Sequence, residues 1–133
     1  MESHFESIDT NALLRLILND DQRSLKKVIR HLLCHNVDYY IDDYVFGEIE
    51  FVLARFQFKR TDIIAAFSQI SANPIFKFNK ERFRKVFYLY NDHPSLSFND
   101  CYLAIKSEEV DAVPIWTLDK KFANQAGQAA LIG

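Results

Sequence analysis

Apolar residues recur at every third or fourth position over most of this chain, and this helical spacing limits the folds that the sequence can adopt. Residues 25–33 show the pattern, with leucine, valine and isoleucine on one face and basic residues on the others, which predicts an amphipathic surface helix. Only three glycines and three prolines occur, which argues against a turn-rich all-β fold. The same spacing predicts further helices at residues 45–56, 63–70, 83–90 and 97–108.

Short strand-like segments separate these helices. Strands that alternate with helices at this spacing are typical of βαβ units, so we predict an α/β fold with a small parallel sheet wrapped by helices. The length of 133 residues fits one compact domain better than two, so residues 1–133 are predicted to form a single domain. The predicted strands cover roughly residues 5–8, 37–41, 75–78 and 113–117.

The composition excludes several classes of protein. Hydrophobic residues at 49% and charged residues at 26% rule out a disordered chain or a fibre. A formal charge of −2 excludes a basic field over the whole molecule but leaves a local basic patch open. The first residues lack the features of a signal peptide, and the apolar runs are too short to span a membrane. Cys34 and Cys101 lie far apart without metal-ligand spacing, which predicts reduced thiols in a cytoplasmic protein.

The positions of four acidic residues are the feature of the sequence that indicates a function. Asp9, Asp100 and Asp119 lie where predicted strands give way to helices, and in an open α/β sheet such junctions gather at the carboxyl edge, where ligands bind. Glu48 sits at the edge of the apolar stripe of its helix, whereas Glu50 projects from the opposite side. We therefore expect Glu48 to face the core and Glu50 to face solvent.

A divalent cation bound beside Glu48 would explain why this charged side chain is expected to face the core. A carboxylate held against a core face is costly unless it is compensated, and no basic residue lies one turn away on this helix. Hard oxygen ligands without clustered His or Cys favour Mg²⁺ or Mn²⁺ over zinc, and such an ion suits phosphodiester hydrolysis. Helix capping is the alternative for each aspartate alone, and Ser97 and Asp100 have the spacing of a capping box. Capping does not explain an inward Glu48.

Four segments of the chain are similar to the motifs of PIN-domain ribonucleases. The first opens on the Asp-Thr-Asn sequence, and each of the others carries one of the remaining acids. Their order and the chain length are most similar to bacterial VapC-type toxins of toxin–antitoxin pairs. The segments are Asp9–Arg15, Phe46–Leu53, Ser97–Ala104 and Thr117–Phe122.

This resemblance implies a fold, a reaction and a set of partners. The fold would be three-layered, with a parallel sheet of four or five strands flanked by helices. The reaction would be endonucleolytic hydrolysis of RNA that leaves a 5′-phosphate and a 3′-hydroxyl, with Mg²⁺ or Mn²⁺ positioning the attacking water. A cognate antitoxin would restrain the enzyme, and the chain would pair as a homodimer. The implied metal ligands and catalytic residues are Asp9, Glu48, Asp100 and Asp119, and those that would orient the carboxylates are Thr10, Asn11 and Thr117.

Other features suggest contacts to RNA and to the antitoxin. Arg15, Lys120 and Lys121 adjoin proposed ligands in sequence and are candidates for phosphate contacts. The basic stretch at 77–85 is interpreted instead as a solvated helix face. Surplus apolar faces at 45–58 suggest a hydrophobic groove for an antitoxin helix. Two alternatives remain open at this stage: a PIN-like module that binds nucleic acid or protein without turnover, and a metal-dependent DNA nuclease.

Overall fold

Seven helices and five short strands follow one another in residues 5–133, the part of the chain that the computed structural model describes. They fall into two compact units, one that ends at Phe78 and a second, Asn79–Gly133. The first unit contains β1 (Phe5–Ser7), α1 (Thr10–Leu18), α2 (Gln22–Cys34), β2 (Asp38–Tyr40), α3 (Asp43–Arg55), α4 (Arg60–Ala72) and β3 (Phe76–Lys77). The second contains α5 (Lys80–Asp92), α6 (Phe98–Glu109), β4 (Ile115–Thr117), α7 (Lys120–Gln125) and β5 (Ala129–Leu131).

The α/β class predicted from the sequence is confirmed, and the four predicted strands lie within two residues of the observed ones. The prediction of a single domain stays a prediction. The expectation that no signal peptide opens the chain falls partly on residues 1–4, which lie outside the described residues. Among the helices of residues 5–133, none has the length and apolar character needed to cross a bilayer.

The first unit is built on a parallel ladder in the order β1-β2-β3. Beyond the last paired residues, the amide of Ile8 donates to the carbonyl of Tyr40 at 3.1 Å, and the amide of Ile41 donates to the carbonyl of Lys77 at 2.8 Å. Because all three strands run in one direction, their carboxyl ends lie at the same edge. Asp9 comes immediately beyond this edge of the ladder.

Aromatic packing holds α3 in the core of the first unit. Phe46 is 1% exposed, and its ring meets those of Phe67 and Phe78 edge-on at centroid distances of 5.6 Å. Burying a phenylalanine in this way contributes about 1.5–3 kcal/mol to folding. The opposite face of α3 is open, because Phe51 remains 59% exposed. Part of the apolar surplus predicted at residues 45–58 therefore lies on an exposed side of this helix.

The second unit contains three helices and a two-stranded parallel ladder. Phe98 of α6 packs against Phe83 and Tyr90 of α5, at centroid distances of 6.2 and 5.6 Å. The ladder joins β4 to β5, with Ile115 opposite Ala129. The five strands thus form two ladders, of three and two strands, where the resemblance implied one sheet. The short β5 was not predicted because its Ala-Ala-Leu sequence lacks the β-branched and aromatic residues that mark strands.

Candidate active site

Asp9 lies between β1 and α1 and caps the helix. Its backbone is extended, with φ −97° and ψ 173°, and its Oδ1 accepts a hydrogen bond from the amide of Ala12 at 3.0 Å. This is the usual N-cap geometry. The bond fixes the carboxylate at the carboxyl edge of the sheet and occupies one of its two oxygens. Among the described residues, Oδ2 has no hydrogen-bond partner.

Thr10 connects the start of α1 with Glu48 on α3. The Thr10 residue is only 9% exposed, and its hydroxyl donates to Oε2 of Glu48 at 3.1 Å. The two residues are 38 positions apart in the sequence, so tertiary packing alone brings them together. Because Thr10 directly follows Asp9, this bond ties the helix that Asp9 caps to the Glu48 carboxylate.

Glu48 does not face the core, and the expectation that it does is wrong. The residue is exposed, whereas Glu50 is only half-buried. The core face of α3 is formed by Val45, Phe46 and Ile49, and Glu48 falls beside it. The Glu48 carboxylate is therefore accessible to water, so its charge does not require a cation buried beside it. What constrains this carboxylate is the Thr10 hydroxyl.

The acids of the second unit also combine capping with a free oxygen. Asp100 and Ser97 form the predicted capping box: Asp100 Oδ2 accepts from the Ser97 amide at 3.1 Å, and Ser97 Oγ accepts from the Asp100 amide at 3.0 Å. Asp119 caps α7, where its Oδ1 accepts from the amides of Lys121 and Phe122 at 3.0 and 3.2 Å. In each case the second carboxylate oxygen has no partner within residues 5–133.

The chemistry of these acids fits a hard divalent cation. Within the described part of the chain none of the four pairs with a basic side chain, whereas Asp20 and Glu109 pair with arginines at 3.0 and 2.7 Å. Residues 5–133 contain no group of three or more His, Cys, Asp or Glu side chains gathered closely enough to hold a metal. Mg²⁺ is commonly held by one or two carboxylates, with waters and substrate phosphates as the other ligands. Asp9 and Glu48 suit that role.

Comparison with known protein families identifies the fold. A family model of the PIN domain matches residues 7–128. The chain belongs to the PIN domain family. PIN domains are generally metal-dependent nucleases, which supports a hydrolase that acts on nucleic acids. Among curated proteins, none matches this chain.

The match places all four acids within the PIN domain, but the residues predicted to orient them differ in their contacts. Thr10 contacts a carboxylate directly. Thr117 instead accepts a hydrogen bond from the amide of Asp119 at 3.0 Å and so shapes the turn before α7. Asn11 is exposed, and its side chain forms no hydrogen bond to any residue in the range 5–133. Of these three residues, Thr10 is the one whose side chain donates a hydrogen bond to a carboxylate in the described chain.

The basic candidates near the acids are accessible. Lys120 and Lys121 are exposed at the start of α7. Arg15 pairs through Nη1 with Asp20 Oδ1 at 3.0 Å, so a phosphate would have to compete with this carboxylate. Of the three, the two lysines of this PIN domain are therefore more accessible to a phosphate group.

Two features of the PIN domain near Asp9 were not predicted from the sequence. A cavity of about 450 Å³ is lined by Asp9 together with Lys27 and His31 of α2. Asp42 follows β2 and caps α3 through the amide of Tyr44 at 3.3 Å, so it repeats the strand-to-helix pattern of Asp9. That pattern was visible in the sequence, whereas the cavity depends on how α2 packs beside β1.

Proposed function

We propose that this PIN domain is a Mg²⁺- or Mn²⁺-dependent endoribonuclease and the toxin of a toxin–antitoxin pair that acts in the cytoplasm. One observation carries the proposal: Thr10 links the helix capped by Asp9 to Glu48, and each of these two carboxylates keeps an oxygen without a partner among the described residues. Two oriented, accessible carboxylates are what a hydrated Mg²⁺ requires from a protein. The family supports a nuclease, and the choice of RNA rests on the motif resemblance.

Each of the four acidic residues has a role in the proposed hydrolysis. Asp9 and Glu48 would hold the metal within the first unit, and Asp100 and Asp119 are proposed as the metal-ligating acids of the second unit. When bound, the ion lowers the pKa of a water and offsets charge on the phosphate. Capping hydrogen bonds orient the three aspartates, and the Thr10 hydroxyl orients Glu48. Water oxygen then bonds to phosphorus and the 3′-oxygen leaves with a proton, giving a 5′-phosphate and a 3′-hydroxyl.

The partners follow from the exposed side of α3. Tyr44 and Phe51 lie two turns apart on this helix and are each 59% exposed, and Phe56 just beyond it is 60% exposed. Such an aromatic stripe fits the apolar face of an amphipathic helix, and we propose that the antitoxin supplies one. Pairing of the chain as a homodimer belongs to the same proposal.

An assay with two nucleic acids and controlled metal tests the reaction. The purified chain is incubated with a labelled RNA and with single-stranded DNA of the same sequence, in Mg²⁺, Mn²⁺ or EDTA. We expect the RNA to be cut in either metal and to stay intact in EDTA. Cleavage of DNA alone would favour a DNA nuclease instead. Binding without cleavage of either strand would favour a module that has no turnover.

A threonine-to-valine change tests the positioning role of Thr10. Valine has nearly the same shape but cannot donate to Glu48, so we expect Thr10→Val to lower kcat/KM by about 10–100-fold, as loss of a group that orients a metal ligand does. Thr10→Ser retains the hydroxyl and should restore most of the activity. Thr61→Val, at an exposed helical threonine of α4, is the matched control. Equal activity of Thr10→Val and wild type would exclude the role.

A further inference from the structure

The helix α2 presents four basic side chains on one face. Arg23, Lys26, Lys27 and Arg30 are separated by three, one and three positions, so they follow one stripe of a helix that turns once every 3.6 residues. All four residues are exposed. We refer to these four residues as the cationic face of α2.

No acidic side chain in the described part of the chain forms an ion pair with the cationic face. Helix α2 itself contains neither Asp nor Glu. Within residues 5–133, none of the four side chains forms an ion pair, whereas Arg15 and Arg82 both pair with carboxylates. Asp21 caps the start of the helix through the Ser24 amide, and Glu6 Oε1 lies 2.7 Å from Nε2 of His35 just beyond its end. In a chain with a net charge of −2, this is a local concentration of positive charge.

The cationic face continues into the cavity that contains Asp9. A concave region of about 470 Å³ is lined by the whole cationic face together with His31 and His35, whose rings stack at 4.5 Å. The 450 Å³ cavity beside Asp9 is lined in part by Lys27 and His31. Because the same two residues line both, a molecule bound along α2 reaches the Asp9 carboxylate without leaving the surface of the first unit.

We propose that the cationic face of α2 binds the phosphate backbone of a single-stranded nucleic acid and leads it to Asp9. The description of this ligand as the substrate rests on the proposed nuclease function. Arg23 and Arg30 are seven residues apart, or about 10 Å at 1.5 Å per residue, which is long enough to contact successive phosphates of one strand. Neutralised phosphates release counterions, and this release drives binding regardless of base sequence.

A binding experiment without cleavage tests the proposal. Fluorescein-labelled single-stranded RNA of 20 nucleotides is titrated with the protein in EDTA, and its anisotropy is followed between 50 and 200 mM KCl. In Lys26→Gln/Arg30→Gln, two phosphate contacts are lost, so we expect affinity at 100 mM salt to fall at least 10-fold. The slope of log K against log salt should fall by about 1.4, since each contact on a single strand contributes about 0.7. Neither residue lines the Asp9 cavity.

A matched variant controls for net charge. Lys80→Gln/Arg84→Gln removes the same two charges from α5, where both residues are also exposed and have no ion-pair partner in the described chain. We expect this variant to bind RNA within twofold of wild type and with an unchanged salt slope. Unfolding curves for both variants confirm that they fold. Equal losses in the two variants would overturn the proposal, because the effect would then come from overall charge.

Further outcomes separate this proposal from the nuclease function. If single-stranded DNA also binds, and the α2 variant loses affinity for it as it does for RNA, the result supports recognition of the phosphate backbone. If RNA binds and DNA does not, the result supports an additional contact to the sugar. Wild-type affinity in the α2 variant, or absence of binding to both strands, overturns the proposal even if the protein cuts RNA in Mg²⁺. Binding through α2 without cleavage in Mg²⁺ or Mn²⁺ instead supports the α2 site and contradicts the nuclease function.

Discussion

Asp9→Asn is expected to abolish metal-dependent cleavage of RNA, with kcat/KM lowered by more than about 100-fold, the upper end of the losses seen when only a ligand's supporting partner is removed. Asparagine has the shape of aspartate but lacks its charge, so a cation loses a ligand. It is also as good an N-cap as aspartate, and its Oδ1 can still accept from the Ala12 amide. The free energy of unfolding should therefore change by less than about 0.5 kcal/mol, as measured by urea titration.

The matched control is the same substitution at the next helix. Asp21 caps α2 and accepts from the amide of Ser24 at 3.1 Å, and hydrogen bonds from Ser24 hold the pKa of this carboxyl below its ordinary value. Asp21→Asn should leave kcat unchanged. A lowered pKa in the folded state contributes stability above the ordinary pKa, so this variant loses that contribution at neutral pH. If Asp9→Asn cut RNA as well as Asp21→Asn does, Asp9 would be a cap and nothing more.

Glu48→Gln is expected to have an effect of similar size. The Thr10 hydroxyl can donate to the amide oxygen of glutamine as it does to the carboxylate, so the contact between α1 and α3 is kept while the charge is removed. We expect kcat/KM to fall by more than about 100-fold, because the lost group is itself a ligand rather than its supporting partner. Glu50→Gln, two residues along the same helix, should retain wild-type activity.

The double variant distinguishes a shared ion from two independent effects. If Asp9 and Glu48 hold one cation, removing either carboxylate disrupts the same metal site. The kcat/KM of the double variant Asp9→Asn/Glu48→Gln should then be little lower than that of the less active single variant. A loss equal to the product of the two single losses would mean that the residues act separately. Each comparison uses single-turnover cleavage of the same labelled RNA.

Local patterns in the sequence were sufficient for the helices and their caps. The spacing of apolar residues predicted α6 from Ser97 onward, and the serine–aspartate spacing predicted its capping box. Proline also acts locally, since α4 ends at Ala72, just before Asn73 and Pro74. Such features depend on residues within one turn of each other, so a single sequence contains the information that they need.

Features that depend on distant residues were missed or misjudged. The edge of an apolar stripe does not reveal which elements will pack beside it, and this is why Glu48 was expected to face the core. Its partner Thr10 is 38 positions away, and no local pattern connects them. The same holds for Lys27 and His31, which approach Asp9 only because α2 folds beside the end of β1. The candidate residues were identified from the positions of the acids and from the motif resemblance, and their contacts only from the structure.

The central claim is that the carboxylates of Asp9 and Glu48 hold a divalent metal ion, and Mn²⁺ binding tests it without any substrate. Free Mn²⁺ is measured by electron paramagnetic resonance as each protein is titrated with the ion. We predict that the wild type, Asp21→Asn and Glu50→Gln bind Mn²⁺ with equal affinity, and that Asp9→Asn and Glu48→Gln each bind at least 10-fold more weakly. Equal binding by all five proteins, or absence of binding by the wild type, would contradict the claim.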